Sequence, residues 1–388
     1  MKRLIFNEDH EMFRDSVRKF MQAEVGPHVE SWREAGICDK DAFLKAGEQG
    51  LLCMWADEKY GGLGIEDFRF EQIVIEETMR HGDLALFLTL HSRLVGPYIG
   101  QLGSEALKER LLPKCISGEI ILGVAMTESG AGSDLAGMKS RAVQDGDDWI
   151  LNGSKTYISN GINGGAFVVA ARTVPDKPHG IGLFVVEEGM EGFSRGRNLA
   201  KMGLKAQDTA ELFFENVRIP AENVLGDPQK GFYSLMHFLA EERLISASQA
   251  VAHGQIAFDL TMDYILERKA FGKPIGAFQN SRFKMAEMRT ELDVTQTFID
   301  QLVMLHNAGE LGADLAAEAK YYATEVEARV MDECVQLHGG AGYMSEYRIS
   351  HMFVDARVSR IYAGSSEIMK EIIARGIGLD KRRLLGGN

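Results

Sequence analysis

The hydrophobic periodicity of this chain changes twice along its length, and this constrains the fold more than any other feature. In residues 8–25, apolar side chains recur at helical spacing, as Phe13, Val17, Phe20 and Val25 show. The same pattern predicts further helices over residues 40–52, 67–81, 84–101 and 104–117. Residues 1–120 are therefore predicted to form an all-helical domain.

The middle third of the chain has the texture of strands. Short segments rich in Val, Ile and Phe alternate there with Gly, Pro and Asp, which is typical of strands between turns. The predicted strands are residues 149–151, 155–159, 166–172, 182–186 and 211–214. Asn152-Gly153, between the first two, is a two-residue hairpin signal. Residues 121–230 are predicted to form a β domain of barrel or sandwich type.

Helical periodicity then returns in long stretches. The predicted helices are residues 231–266, 279–307, 311–336 and 364–376. Their lengths suit an antiparallel four-helix bundle over residues 231–388. The predicted fold class is a multidomain α+β protein, with an N-terminal helical domain, a middle β domain and a C-terminal helical bundle.

Composition excludes several classes of function. The net charge of −13 disfavours a nucleic-acid or anionic-membrane partner, and Lys381-Arg382-Arg383 is too short a basic cluster to change this. No apolar run approaches the ~18 residues of a membrane span. The four cysteines are widely spaced, which indicates neither a zinc site nor a disulfide framework, and no metal is expected. Without a recognisable signal or transit peptide, the expected location is the cytoplasm of a bacterium.

The segment AMTESGAGSD, residues 125–134, has the composition of a ligand-binding loop. Its small residues allow close approach of a flat or phosphorylated ligand, and Thr127 and Ser133 can hydrogen-bond one. GAGSDLAG at residues 130–137, which overlaps the end of this segment, does not fit a dinucleotide-binding GxGxxG motif. Leu135 occupies a position that needs a small residue, and the region is β-rich.

Three other segments have two interpretations each when taken alone. YISNG at residues 157–161 could be a strand end or a ligand contact. The cations of RKAFGK at residues 268–273 could contact a ligand, but complementing a helix dipole is the preferred interpretation of this segment alone. QLHGG at residues 336–340 could be a glycine-capped helix end, a close approach to a ligand, or both.

In order and spacing, these segments resemble the acyl-CoA dehydrogenase family over essentially the whole chain. IYAGSSEIMKEIIAR at residues 361–375 extends the resemblance, and MGLKAQDTAELFFE at residues 202–215 is most similar to the long-chain branch. The resemblance implies an FAD enzyme that oxidises an acyl-CoA thioester to a trans-2-enoyl-CoA. A carboxylate removes the α proton while the β hydrogen leaves as hydride to flavin N5. The resemblance also implies electron-transfer flavoprotein as the electron acceptor and a homotetramer built as a dimer of dimers.

The resemblance also assigns residues to the cofactor. Those implied at the flavin are Val124, Ala125, Met126, Thr127, Gly132, Ser133, Tyr157, Ile158 and Ser159. Those implied at the adenine nucleotide are Arg268, Phe271 and Gln279 and, from a neighbouring subunit, Gln336, Leu337, His338, Gly339 and Gly340. A further turn implied to contact FAD consists of Ser365, Ser366 and Glu367. The implied substrate contacts are Ser133, Pro178, His179, Tyr233, Ala240, Glu241, Arg243, Ala363 and Gly364.

The position of the catalytic base distinguishes branches of the family. Many members carry it directly after the tyrosine of the IY-x-G segment, where this chain has Ala363. The long-chain and isovaleryl branches carry it before an arginine on a long helix, which matches Glu242 and Arg243. Helical geometry turns Glu242 toward an apolar stripe, about 100° from Glu241, so a raised pKa is expected. The alternatives are a buried salt bridge at Glu242 and, ranked lower, Glu367 as base.

Two departures from the family pattern leave the acyl group open. Ser129 replaces a proline in the flavin loop, and Ala240 stands where long-chain relatives have proline. A base on the helix instead of beside Gly364 also leaves space near the α and β carbons, so branched acyl groups of isovaleryl or citronellyl type are considered beside long straight chains. Two other functions also remain open: an acyl-CoA oxidase-like enzyme that uses oxygen, and a flavin-binding scaffold without activity, suggested by Ala363.

Overall fold

The structure is a computed structural model that describes residues 1–380 and residue 384, so the Lys381-Arg382-Arg383 cluster lies outside the described residues. The first part of the chain is helical, as predicted. Its helices are α1 (Glu8–Phe20), α2 (Val29–Ala35), α3 (Asp41–Glu48), α4 (Phe68–Gly82), α5 (Gly96–Leu102) and α6 (Glu105–Ile116). Asn7 begins α1, because its side chain accepts a hydrogen bond from the backbone N–H of His10.

The single helix predicted over residues 84–101 is wrong in its first part. Asp83 and Leu84 have positive φ angles of 47° and 58°, which end α4, and the chain becomes helical again in a π turn at Leu90–Val95 before α5. Residues 84–88 are all buried, including Leu86. A segment buried on all sides has an apolar run without a period, so the sequence pattern could not separate helix from irregular backbone there.

The middle of the chain forms one mixed sheet of eight strands. They are β1 (Leu122–Ala125), β2 (Arg141–Asp145), β3 (Asp148–Ser159), β4 (Ala166–Arg172), β5 (Ile181–Glu187), β6 (Phe193–Arg195), β7 (Thr209–Ile219) and β8 (Val224–Leu225). The order is β6-β7-β3-β2-β4-β5-β8, with β1 beside β4. β2 and β4 pair only at Arg141 and Arg172, so the sheet has two halves. Apolar side chains from both halves form one core, as a barrel- or sandwich-like domain requires.

The hairpin predicted at Asn152-Gly153 is wrong. β3 runs through these residues without turning back, and the hairpin lies one strand earlier, where Asp145 pairs with Asp148 across Gly146. Gly153 instead adopts φ 145° at a shift in the pairing of β3 with β7. A Cβ there would lie 2.3 Å from the Ser140 hydroxyl oxygen, so glycine is required by a close approach and not by a turn.

The last part of the chain is a helical bundle with a small hairpin. Its elements are α7 (Gly231–Glu267), β9 (Lys269–Ala270), β10 (Lys273–Pro274), α8 (Gln279–Asn307), α9 (Ala313–His338), α10 (Arg348–Ala356) and α11 (Ser366–Gly376). Helix α10 was not predicted, although Ile349 and Met352 face the core at helical spacing. α7 packs along α9, with α8 and α11 beside them, which confirms the bundle.

One carboxylate joins the three parts of the molecule. Asp355 in α10 accepts a hydrogen bond of 2.6 Å from Arg33 in α2 and another of 2.5 Å from the backbone N–H of Leu204, in the loop between β6 and β7. Both charged side chains are buried. Across the described residues, no helix combines the length and apolar character that a membrane crossing would need.

Candidate active site

Glu242 is a half-buried carboxylate near the start of α7. Within residues 1–380 it forms no ion pair, so the salt-bridge alternative is not observed. Arg243 and Lys320 act on it electrostatically. Its own charge acts in turn on the phenol groups of Tyr98 and Tyr362. Burial raises the pKa of Glu242 to about 6, against the opposing effect of the two cations. An unpaired carboxylate with this pKa is suited to accept a proton near neutral pH.

Glu241, the preceding residue, has a different environment. Its Oε1 lies 2.6 Å from Nε of Arg93, and its Oε2 lies 2.7 Å from Nε2 of His306. Burial alone would raise the pKa of Glu241, but His306 and Arg93 hold it below the usual range. With both oxygens engaged, Glu241 has little capacity left for the substrate contact predicted from the sequence.

The turn at Ala363 and Gly364 lies at the end of the segment before α11. Ala363 has φ 53° and Gly364 has φ 91°, so two successive residues adopt the left-handed conformation. Nζ of Lys320, on α9, donates a hydrogen bond of 2.7 Å to the carbonyl oxygen of Gly364. Ser365 then caps α11, and its side chain accepts from the backbone N–H of Ile368. Ser366 bonds to α9, and Glu367 is exposed.

The loop after β1 is held to β3 by a buried ion pair. Nζ of Lys155, on β3, lies 2.8 Å from Oε1 of Glu128 and donates 3.0 Å to the carbonyl oxygen of Met126. Glu128 also accepts hydrogen bonds from the backbone N–H groups of Lys139 and Ser140. Burial opposes its ionisation, but Lys155 holds the pKa of Glu128 below the usual range. Glu128 is therefore a structural carboxylate within this loop.

The two segments predicted to contact the flavin lie together. The backbone N–H of Thr156 donates 2.9 Å to the carbonyl oxygen of Thr127, which joins the loop to β3. Tyr157 has φ 59° and is 69% exposed, whereas Ile158 beside it is buried. Gly132 and Ser133 are exposed in the same loop, and Val124 and Ala125 lie on β1, directly before the loop in the chain.

Three residues predicted to contact the substrate cluster at the start of α7. The imidazole of His179 stacks on Phe232 with ring centroids 4.3 Å apart, and Tyr233 meets it edge-on at 6.1 Å. Pro178 is the exposed neighbour of His179. Ala240 and Arg243 lie two to three turns further along α7, with Arg243 buried.

A cavity lies at the C-terminal end of α7. Arg268, Leu337, His338, Gly339 and Gly340 line one cavity of about 360 Å³. His338 stacks on Tyr264 at 4.2 Å. These residues of a single chain line the same cavity. That a neighbouring subunit supplies the 336–340 segment to a given FAD stays a prediction. Phe271, Gln279 and Gln336 are exposed nearby in sequence and do not line this cavity.

Comparison of the sequence with protein families agrees with this arrangement. Models of the acyl-CoA dehydrogenase N-terminal, middle and C-terminal domains match residues 7–119, 123–217 and 229–378. The chain belongs to the acyl-CoA dehydrogenase family. It is an oxidoreductase of that family, whose cofactor is FAD, so the predicted family, enzyme class, fold class and cofactor are confirmed.

Individual acyl-CoA dehydrogenases are similar along nearly the whole chain. The mitochondrial long-chain specific acyl-CoA dehydrogenase of Sus scrofa is 48% identical over 382 residues, 98% of this chain and 89% of that protein. The crystal structure of an acyl-CoA dehydrogenase from Geobacillus kaustophilus matches with a TM-score of 0.94 and 47% identity, covering 96% of this chain and 99% of that one. A glutaryl-CoA dehydrogenase from Mycobacterium smegmatis in complex with FADH2 matches with a TM-score of 0.90 and 28% identity, covering 97% and 96%.

Several polar residues of this acyl-CoA dehydrogenase were missed by the sequence reasoning. They are Arg93, His306, Lys155 and Lys320, the partners of Glu241, Glu128 and Gly364. A signal was present for Lys320, because it shares the helical face of Ala316, Ala323 and Glu327, which are all buried. A lysine on a buried face needs a partner, although the sequence does not identify which one.

Proposed function

We propose that this enzyme converts a saturated acyl-CoA into the trans-2-enoyl-CoA, with Glu242 as the base that removes the α proton. The observation that carries the proposal is the contrast between two neighbouring glutamates of α7. Glu241 is paired with Arg93 and His306, whereas Glu242 is unpaired among the described residues and has a pKa raised to about 6. Ala363, at the position where many relatives carry the base, has no proton acceptor in its side chain. Glu367 is exposed, and its pKa is lowered by hydrogen bonds from its own backbone and Ser365.

The residues present fit FAD. Gly132 and Gly340 have open space where a Cβ would be, so a ligand can approach the backbone at both. We infer that the loop at 124–133 and residues 157–159 contact the flavin ring, and that Arg268 and residues 336–340 hold the adenine nucleotide. Ser365, Ser366, Glu367, Phe271 and Gln279 are proposed as further contacts. When bound, the flavin supplies the acceptor for the β hydrogen as hydride.

The dimensions of α7 support an oligomer. Glu242 and the cavity at Arg268 are separated by 25 helical residues, which is about 38 Å along the helix axis. The proposed reaction requires the flavin ring beside the carbons that Glu242 deprotonates, and a single FAD molecule is too short to reach from there to a cavity that far away in the same chain. We therefore propose that Arg268 and residues 336–340 serve the FAD of a neighbouring subunit, in a homotetramer built as a dimer of dimers.

The electron acceptor and the acyl group are proposed from the family resemblance. Electron-transfer flavoprotein is the proposed acceptor, and the cytoplasm is the proposed location. Pro178, His179, Tyr233 and Ser133 are the proposed contacts to CoA or the start of the acyl chain. The similarity to a long-chain specific dehydrogenase favours a long straight acyl group over a branched one.

Anaerobic bleaching of the bound flavin tests this proposal. The purified enzyme is mixed with straight acyl-CoA thioesters of 4 to 18 carbons and with isovaleryl- and citronellyl-CoA, and flavin absorbance is followed. Rapid bleaching by long straight thioesters is expected. Bleaching only by branched thioesters would overturn the proposed substrate, and no bleaching by any of them would overturn the proposed reaction. Equal turnover with oxygen and with electron-transfer flavoprotein would favour the oxidase alternative.

A further inference from the structure

Lys320 is a buried cation with an unusual partner. Its side chain has no exposed surface, although lysine is almost never fully buried unless it is paired. Nζ donates 2.7 Å to the carbonyl oxygen of Gly364, and in the part of the chain that the structure describes no carboxylate forms an ion pair with it. Burial lowers the pKa of this ammonium to about 8. A desolvated cation held mainly by one carbonyl group is not explained by packing.

The carboxylates next to Lys320 on α9 already have other partners. Glu327 accepts 2.7 Å from Nδ1 of His253 and 2.5 Å from the hydroxyl of Ser359. Glu325 accepts 2.9 Å from the hydroxyl of Ser366. Glu327 therefore ties α9 to the segment before α11, and Glu325 ties α9 to the first residue of α11. The carboxylate left unpaired near the ammonium is that of the proposed base on α7.

The electrostatic contact between Lys320 and Glu242 is mutual. Lys320 favours the ionised form of Glu242, and Glu242 favours the charged form of Lys320. The other charged groups that act on Lys320 are Glu325 and Glu327 from its own helix and Arg243 from α7, which opposes its charge. Tyr362, in the segment before α11, also lies near Glu242.

The hydrogen bond from Lys320 acts on a strained part of the backbone. Ala363 adopts φ 53°, which side chains with a Cβ disfavour, and it directly precedes the carbonyl group that Lys320 holds. Gly364 has φ 91°, and a Cβ there would lie 2.5 Å from Cε of Met369, so a residue with a side chain would be strained at this position. A fixed donor on α9 therefore stabilises this conformation of the turn.

We propose that Lys320 is a positioning residue for the dehydrogenation: it holds the Ala363–Gly364 turn through the Gly364 carbonyl and supplies a positive charge that keeps Glu242 ionised. This inference rests on the proposed role of Glu242 as base. One side chain thereby connects the position where many relatives carry the base with the position where this chain has it.

The test compares Lys320→Met, Lys320→Arg and Lys370→Met in the FAD-loaded enzyme. Lys370 is an exposed lysine on α11 and serves as the matched control. The first readout is the pH dependence of anaerobic flavin reduction by the thioester that bleaches the wild type fastest. The second readout needs no turnover: it is the pH dependence of the Kd of the trans-2-enoyl-CoA product, measured by calorimetry. FAD content and Tm are recorded for each variant.

Lys320→Met is expected to shift the acid limb of both profiles upward by about one pH unit, because an opposite charge nearby lowers the pKa of a carboxyl by that order. Lys320→Arg, which keeps the charge and donors, should restore the wild-type limb, and Lys370→Met should leave it unchanged. An unshifted limb in an FAD-loaded Lys320→Met enzyme overturns the proposal.

Two further outcomes are separable. If Lys320→Met does not retain FAD, Lys320→Gln takes the same test, because it keeps an N–H donor without the charge. Loss of FAD from all three Lys320 variants would assign the residue a purely structural role and overturn the proposal. If Glu242→Gln keeps wild-type flavin reduction, the proposed base is wrong, whereas inactivity of Glu242→Gln with an unshifted Lys320→Met limb refutes only the role of Lys320.

Discussion

Glu241 and Glu242 are consecutive residues of one helix with opposite electrostatic environments. Arg93 and His306 engage both oxygens of Glu241 and hold its pKa below the usual range, whereas burial raises the pKa of Glu242 to about 6. The 100° between successive helical residues turns Glu241 into contact with Arg93 and His306, whereas Glu242 is desolvated without an ion pair among the described residues. Neighbouring glutamates thereby acquire different chemistry, and each can serve as the control for the other.

Glu242→Gln is predicted to lower the rate of flavin reduction by about 10²–10⁴-fold, because an amide cannot take the α proton. FAD should stay bound, since none of the proposed cofactor contacts is changed. Stopped-flow absorbance with the preferred acyl-CoA measures the rate. Glu241→Gln is the matched control and should reduce the rate less than tenfold. Equal losses in the two variants would contradict the assignment of the base.

The rate of flavin reduction is predicted to fall at acid pH with a midpoint near 6. A group with a pKa of about 6 is protonated below that pH and ionised above it, so the base is active on the alkaline side. The rate should decrease about tenfold per pH unit well below the midpoint. Glu71 is the necessary control, because burial raises its pKa to about 7. The acid limb of the pH profile should persist in Glu71→Gln. Its disappearance in that variant would show that Glu71, and not Glu242, is the group that titrates.

Lys155→Met is predicted to weaken FAD binding and to destabilise the protein by about 3–5 kcal/mol, because it leaves Glu128 buried without its cation. The loop at Met126 also loses a hydrogen bond, so the segment proposed to contact the flavin is no longer fixed. Equilibrium dialysis gives the Kd for FAD, and thermal unfolding of the FAD-free protein gives the loss of stability. Lys139→Met removes an exposed lysine of the same loop and should change neither value. Unchanged FAD affinity in Lys155→Met would show that the ion pair does not position the loop.

The order of helices, sheet and helices could be predicted from periodicity, because most of these elements bury one face. α8 has the bounds predicted for it, Gln279–Asn307. Prediction failed at two places where the periodic pattern carries no information. Residues 84–88 are buried on all sides, and Gly153 is required by its close approach to Ser140 and does not form a turn. Asn-Gly is a local signal, and the tertiary packing of β3 against β7 prevailed over it.

The candidate site could be predicted only in part for a different reason. Motif spacing identified Glu242 and the loop at Thr127, since these belong to continuous segments. Lys320 and Gly364 are 44 positions apart, and Glu241 and His306 are 65 apart. Contacts across such distances depend on how the helices pack, which a single sequence does not state. The same applies to the cavity that unites Arg268 with His338.

Asp355→Asn is predicted to destabilise the protein by about 3–5 kcal/mol, because Arg33 then stays buried without a counter-charge. The effect should be cooperative across the molecule, since Asp355 on α10 contacts Arg33 on α2 and the backbone of Leu204 in the β domain. Thermal unfolding followed by circular dichroism should show a lower Tm, and FAD fluorescence should increase over the same temperature range. Asp145→Asn breaks the exposed pair with Arg218, whose side chains are 58% and 55% exposed, and should cost less than about 1 kcal/mol. Equal changes of Tm in the two variants would mean that the three parts of the chain are not held together through Asp355.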